Sequence, residues 1–289
     1  MKEHAKEFSI RGMSRALEVS YAGYYDWLKR SENAGVRASG NMKLLDKIKE
    51  VHKESRGIYG SPKICIRLAA AGETVNHKRV ERLMRENEIR AKRTKRSYKP
   101  QTTDSNHNLP IAANQLNREF KATGPDQKWA TDISYIRTDE GWLYLAVFID
   151  LYSRLVVGWA ASSEMTVELI DKAFLMGQTR RGRAVNPLVH SDRGSQYASK
   201  AFREKLSAWE CRQSMSRKGN CWDNAVAESF FSVLKEEMVH HEKFQTRQEA
   251  IDKLFDYIEV FYNRQRIHSA AGFMSPEQFE SRFVEAAAA

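Results

Sequence analysis

Three carboxylates in this 289-residue chain are placed to do chemistry: Asp132 in "WATDISYI", Asp192 in "HSDRGSQY" and Glu228 in "GNCWDNAVAESFFSVLKEE". Asp132 is expected inside a strand, where an unpaired carboxylate beside buried residues is costly unless a cation or hydrogen-bond donors meet it. Asp192 closes the short strand "PLVHS", and Gly194 allows a sharp exit from it. Glu228 follows a turn at Gly219 and Asn220, with Asp223 expected to cap its helix. Steps of about 100° per residue put Asn224, Glu228, Ser232 and Lys235 on a polar stripe and Ala227, Phe230, Phe231, Leu234 and Met238 on an apolar one. If the two strands pair side by side, Asp132 and Asp192 come within reach of one ion, and the helix can bring the third acid. Three acids together repel one another, so the grouping suits Mg²⁺ or Mn²⁺, hard cations that take oxygen ligands. By itself, a glutamate on the surface of such a helix is usually just a solvated side chain.

The elements that must position these acids lie in the second half of the chain. "WATDISYI" and "GWLYLAVFIDLYSRLVVGWA" are rich in aromatic and β-branched residues and predict three strands, with turns near Asp139 to Gly141 and at Asp150 to Ser153. A helix over "TVELIDKAFLMGQTRRG", the strand "PLVHS", a helix over "SKAFREKLSAWE" and the strand "RQSMS" follow. The helix of Glu228 and a last helix, "RQEAIDKLFDYIEVFYNRQ", complete the set. This succession predicts a mixed five-stranded sheet with flanking helices.

Upstream, only short helices are expected. "SRALEVSYAGYYDWLKR" and "KLLDKIKEVHKES" carry helical periodicity. In the next stretch Gly72 breaks one helix and Thr74 or Asn76 caps another, giving helix, turn, helix. The second of these carries His77, Lys78, Arg79, Arg82 and Arg85, which could lie against DNA or form a solvated basic face. The run "RAKRTKRSYKPQ", with Arg93 and Arg96, has no acid and looks like an exposed linker able to bind phosphate. The expected organisation is a helical DNA-binding region over 1–92, a basic and polar linker over 93–122 and a third region over 123–289.

Forty-seven basic residues against 37 acidic ones give a formal charge of +10, and 42% hydrophobic residues suffice for real cores. An acidic polymer is the implied partner, nucleic acid before an anionic membrane. Three scattered cysteines rule out a disulfide scaffold or a CxxC zinc site and suit a reducing cytoplasm. The longest apolar run, "LYLAVFI", is far short of a membrane span.

Two aspartates, then a glutamate after 35 intervening residues, with Lys235 seven positions later, resemble the catalytic core shared by retroviral integrases and many bacterial transposases. "WATDISYI", "YLAVFIDLYSRLVVGW", "HSDRGSQY", "MSRKGNCWDNAVAESFFSVLKEE" and "YNRQRIHSAAGFMSPEQF" resemble, more closely, second-frame transposases of the IS-three group of insertion sequences. The resemblance covers essentially the whole chain. It implies a ribonuclease-H-like core, with Asp132, Asp192 and Glu228 as ligands of two divalent ions that drive strand cleavage by water and then strand transfer by the liberated 3′-hydroxyl. It further implies a homo-oligomer on DNA and an upstream-frame partner or fusion. The His-His-Cys-Cys zinc domain of retroviral integrases cannot be assembled from these cysteines.

Lys235 lies about 20° around the helix from Glu228 and about 10 Å along it, so a phosphate of the element end is its expected partner. Asn224 is expected to help orient DNA or a ligand from behind the metal, and His190, also behind the ligands, to be a satisfied strand histidine before a group that steers the scissile phosphate. Asp150 is expected to bond turn backbone and Arg154, and Tyr262, Asn263, Arg266 and His268 to tie the last helix to the core. Two rivals share the pattern: a nuclease without strand transfer, and a DNA-binding regulator without catalysis.

Overall fold

The computed structural model describes residues 1–92, 107–184 and 186–288, and the chain divides into two compact units, Met1–Ala91 and Lys92–Ala289. In the first unit α1 (Ile10–Ala16) precedes α2 (Tyr21–Glu54), whose N-terminus is capped by the Ser20 hydroxyl. α2 is one helix of 34 residues where only short helices were expected. Gly35 and Gly40 in its polar middle cost about 1 kcal/mol each, which is too little to end a helix. α3 (Ser61–Ala70) stops before Gly72, at φ +84°, and α4 (His77–Glu86) starts from the Asn76 side chain, which accepts a bond from the Lys78 amide. Leu44 and Ile48 of α2, Ile64 and Leu68 of α3, and Val80, Leu83 and Met84 of α4 form the core of this unit.

The second unit is a five-stranded sheet in the order β3-β2-β1-β4-β5, built from β1 (Lys128–Thr138), β2 (Gly141–Asp150), β3 (Val156–Ser162), β4 (Leu188–Ser191) and β5 (Arg212–Met215). β1, β2 and β3 pair antiparallel, whereas β4 lies parallel to both β1 and β5. Helices α5 (Val167–Arg180), α6 (Ser195–Ala198) and α7 (Lys200–Ala208) pack on one face. There Trp129, Ala146, Phe148, Phe174, Tyr197 and Phe202 share a core. Leu145, Val147 and Ile149 point to the opposite face by the two-residue period of a strand and are equally buried. That is the side of α8 (Ala225–Glu237) and α9 (Arg247–Phe255).

The last predicted helix does not run straight through. After α9 the chain widens to a π-helix over Asp256–Tyr262, in which Tyr257, Ile258, Phe261 and Tyr262 are all buried. A further helix, α10 (Pro276–Ala288), sets Phe279 and Phe283 against Tyr152, with ring centroids 5.0 and 5.2 Å away. Asn263 grips β3 by accepting from the Val156 amide at 3.0 Å and donating to its carbonyl at 3.1 Å. Part of the expected linker is also folded: the Gln115 and Leu116 amides both donate to Ser214 Oγ on β5, and Leu116 is buried. Among the described residues no helix is long and apolar enough to cross a membrane.

β3 and α5 approach closely at Gly158. A Cβ there would fall onto the Ala173 carbonyl oxygen and within 2.6 Å of the Gly177 amide nitrogen. Backbone on both sides cannot give way as a flexible side chain can. Gly158→Ala should therefore lower stability by about 3 kcal/mol, the upper part of the range for overpacked cores, read as a lower urea midpoint at unchanged slope.

Candidate active site

The register between β1 and β4 gathers the first two acids. Lys128 pairs with Leu188, Trp129 with Val189 and Ala130 with His190, and the same offset separates Asp132 from Asp192. Asp192 directly follows Ser191, the last residue of β4, so its carboxylate meets that of Asp132 at this end of the strand. Asp132 Oδ1 accepts the Ile133 amide and Asp192 Oδ1 accepts the Gly194 amide, each at 2.9 Å. The two acids line one cleft together with Gly194, Gln196, Tyr197 and Met165. Burial pushes the Asp132 carboxyl well above the usual range, and the charges of Asp192 and then Glu228 push it further; the Ile133 amide and Lys235 oppose them. The site thus holds more negative charge than it can comfortably keep ionised.

Glu228 is carried in the first turn of α8 and is exposed. The helix is seated by the apolar stripe read from the sequence: Ala227, Phe230, Phe231, Leu234 and Met238 are buried, and Phe230 meets Tyr262 edge-on at 4.9 Å. Its far end is pinned by Glu237, which receives the Arg266 guanidinium at 2.6 Å and the Tyr257 hydroxyl at 2.7 Å in a nearly dry pocket. His268 stacks edge-on against Tyr262, 4.7 Å between centroids. Lys235 sits 4.3 Å over the Tyr135 ring, a cation–π contact, and close enough to Asp132 to lower its pKa.

At its start, α8 is held by two buried side chains. Asn224 Nδ2 donates to the Thr131 carbonyl, next to Asp132, at 3.1 Å. Asp223, expected as a helix cap, makes no capping bond; it accepts instead from Arg217 Nη2 at 2.7 Å, Arg118 Nε at 2.8 Å, the Arg217 amide at 2.9 Å and Asn114 Nδ2 at 3.0 Å. Two guanidinium partners draw the carboxylate away from a capping role. Arg217 lies in the same loop and so within reach of a sequence argument. Arg118 and Asn114 do not, because no local pattern connects residues more than a hundred positions apart.

His190 is fully buried, with Nδ1 2.8 Å from Ser214 Oγ and Nε2 3.1 Å from Ser216 Oγ, and burial lowers its pKa to about 4. Asp150 is buried and accepts from the amides of Asp126, Tyr152 and Ser153 and from the Ser153 hydroxyl, while burial raises its pKa to about 6. Tyr197, which sequence reasoning passed over, bonds Thr131 Oγ at 3.0 Å through its hydroxyl. Burial holds its phenol far above the ordinary value, and the nearby charges of Asp132 and Asp192 add to the effect. In the first unit Lys78, Arg79 and Arg82 all lie on the exposed face of α4; Arg79 Nε donates to Asn41 and Arg82 to Glu86. Arg93 and Arg96 lie outside the described residues. Among the described residues no three His, Cys, Asp or Glu side chains are grouped closely enough to hold a metal ion.

Comparison with known proteins agrees with this architecture. Residues 122–221 and 228–283 match integrase core domain families, and residues 40–97, spanning α3 and α4, match an HTH-like domain. The chain is 43% identical over 282 residues to Transposase InsF for insertion sequence IS3A of Escherichia coli (strain K12), covering 98% of this chain and 97% of that one. It is 41% identical over 276 residues to the Insertion element IS600 uncharacterized 31 kDa protein of Shigella sonnei, covering 96% and 100%. A solved structure of the simian T-cell lymphotropic virus intasome in complex with PP2A regulatory subunit B56 gamma aligns with 81% of this chain and 74% of its own, at 14% identity and a TM-score of 0.47. The chain belongs to the IS3 family of transposases, with an integrase core behind an HTH-like domain.

The paired guanidinium groups hold Asp223 well below the usual carboxylate range. A carboxyl depressed in the folded state adds stability that is complete above its unfolded pKa, about 4, and is lost as pH falls below it. Thermal melts from pH 6 down to pH 2.5 should show a steeper acid loss for the wild type than for Asp223→Asn, whose melting temperature at pH 6 starts lower.

Proposed function

We propose that this chain cuts the 3′ ends of an insertion sequence and joins them to target DNA, with Asp132, Asp192 and Glu228 as the divalent-metal ligands. The observation that carries the proposal is the cleft that Asp132 and Asp192 line together, with Glu228 exposed in the first turn of α8 and its charge felt at Asp132. An all-oxygen donor set carrying excess negative charge fits Mg²⁺, with Mn²⁺ able to substitute. When bound, a pair of such ions would activate the attacking hydroxyl and stabilise the departing 3′ oxygen. Asp132 and Asp192 present their oxygens from a rigid sheet. Glu228, exposed in the first turn of α8, would supply the third carboxylate. Lys235 would leave the Tyr135 ring for a DNA phosphate, an exchange between two partners of the same cation.

DNA is the partner implied by the family and by the charge of +10. Lys78, Arg79 and Arg82 on α4, and Arg93 and Arg96 beyond it, are assigned to phosphate contacts, and the working species to a homo-oligomer assembled on DNA. Asn224 and His190 act behind the ligands, Asn224 by tying the start of α8 to the strand of Asp132 and His190 by filling the sheet beneath Asp192.

Incubating the purified protein with labelled element-end DNA, Mg²⁺ and plasmid should yield joined products. Cleavage without joining would instead favour the nuclease. Asp132→Asn, Asp192→Asn and Glu228→Gln should each reduce both steps by more than the roughly 10–100-fold that loss of an outer supporting contact costs. Equal activity in any one of them would remove that residue from the site.

Affinity should fall linearly in log–log plots against salt. Lys78→Ala and Arg82→Ala should each reduce the slope by about 0.9 if each side chain neutralises one phosphate. An unchanged slope would return α4 to the role of a solvated face.

A further inference from the structure

Immediately before α8 the chain makes a 3₁₀ turn over Cys221–Asn224, and in this turn Trp222 is 69% exposed. An indole is the largest apolar side chain, and burying one is among the most favourable single contributions to a core. The fold forgoes that gain here. The turn itself is far from loose: Asp223 is 0% exposed and anchored by Arg217, Arg118 and Asn114, and Asn224 is 4% exposed and bonded to the carbonyl next to Asp132. An exposed ring therefore stands on an anchored base, six residues ahead of Glu228.

The surroundings of the ring are basic. Arg217 and Lys218 precede it in the loop, and Arg118 is docked beneath the same turn at Asp223, with about half of its side chain still accessible. Aromatic faces set among basic side chains suit a nucleic-acid strand, the cations following the phosphates and the ring receiving a base. Every base has a π-face, so such a contact is tolerant of sequence and needs no groove.

We propose that Trp222 is a stacking platform for a nucleobase of the DNA strand that enters the Asp132–Asp192 cleft. It would unstack the tip of the duplex and hold the strand beside the acids. The inference rests on the DNA-processing function proposed above and adds to it a specific substrate contact: a frayed end, gripped by its base on one side and its phosphates on the other. The rigidity of the base matters, because a platform that moved would unstack nothing.

The probe is a 30-base-pair duplex with a three-nucleotide single-stranded tip containing 2-aminopurine, titrated with the full chain at low salt. Wild-type protein should quench the 2-aminopurine, as ring stacking does. Trp222→Phe, which keeps a π-face, should retain most of the quenching. Trp222→Leu, apolar but without a π-face, should lose it and bind the tip about tenfold or more weakly, with a melting temperature equal to that of the wild type because the side chain is exposed. Quenching by Trp222→Leu equal to that of the wild type would overturn the proposal. So would a Leu variant that alters sedimentation but not the fluorescence, since the ring would then serve contact between copies of the chain. Asp192→Asn separates the two ideas: it should quench normally and fail to cut. An Asp192→Asn protein that still cuts would defeat the catalytic assignment while leaving the stacking result to be judged by itself.

Discussion

The parallel register of β1 on β4 is the constraint on which the rest of this structure depends. Two carboxylates brought into one cleft are an unfavourable arrangement: burial and the charge of Asp192 together push the Asp132 carboxyl well above its usual range. The sheet tolerates this because its other face buries Trp129, Phe148, Phe174 and Phe202, each worth about 1.5–3 kcal/mol. The repulsion is thus outweighed by a core that has no part in the chemistry. Slipping the register by one residue would relieve the acids, but it would also turn Trp129 out of its pocket. The energetics of packing hold the electrostatic strain in place.

The third acid is positioned by a different kind of force. α8 is fastened at both ends by ionic and amide contacts and along its length by aromatic packing. Asp223 and Asn224 hold its start, Glu237 holds its end, and Phe230 and Leu234 fill the side between them. Glu237 and Arg266 are each less than a tenth exposed, so desolvation offsets much of their attraction. Their value lies in specifying where the helix ends, since either charge left unpaired in that pocket would be expensive. Glu228 itself remains at the surface.

The flanking elements serve the same purpose. The segment 114–118, remote in sequence, closes over β5 and the Asp223 turn, so the apparent linker contributes part of the scaffold for α8. α10 and the π-helical stretch add Asn263, Arg266 and the aromatic stack around Tyr152, which brace β3 and the far end of α8. In the first unit, α3 and α4 form a helix-turn-helix with a basic exposed face on α4.

The amphipathic stripe of α8, the strand character of "WATDISYI" and the helix start at Thr74 or Asn76 are local properties, set by residues within a few positions of one another, and could be read directly. The family was legible for a related reason: motifs of eight to twenty residues carry their own spacing. Other features were not legible. Short helices were expected where α2 runs unbroken, because propensity marks weak points without saying whether neighbouring helices will bridge them. Asp223 looked like a cap because its strongest partners, Arg118 and Asn114, are brought to it only by the closing of the sheet edge. Which acids share a cleft, which indole is left in water and which histidine is sealed away are decided by register and packing between distant segments. Sequence by itself determined the elements and the reactive groups they carry; tertiary structure decided how those groups meet, because charge, burial and contact are properties of neighbours in space.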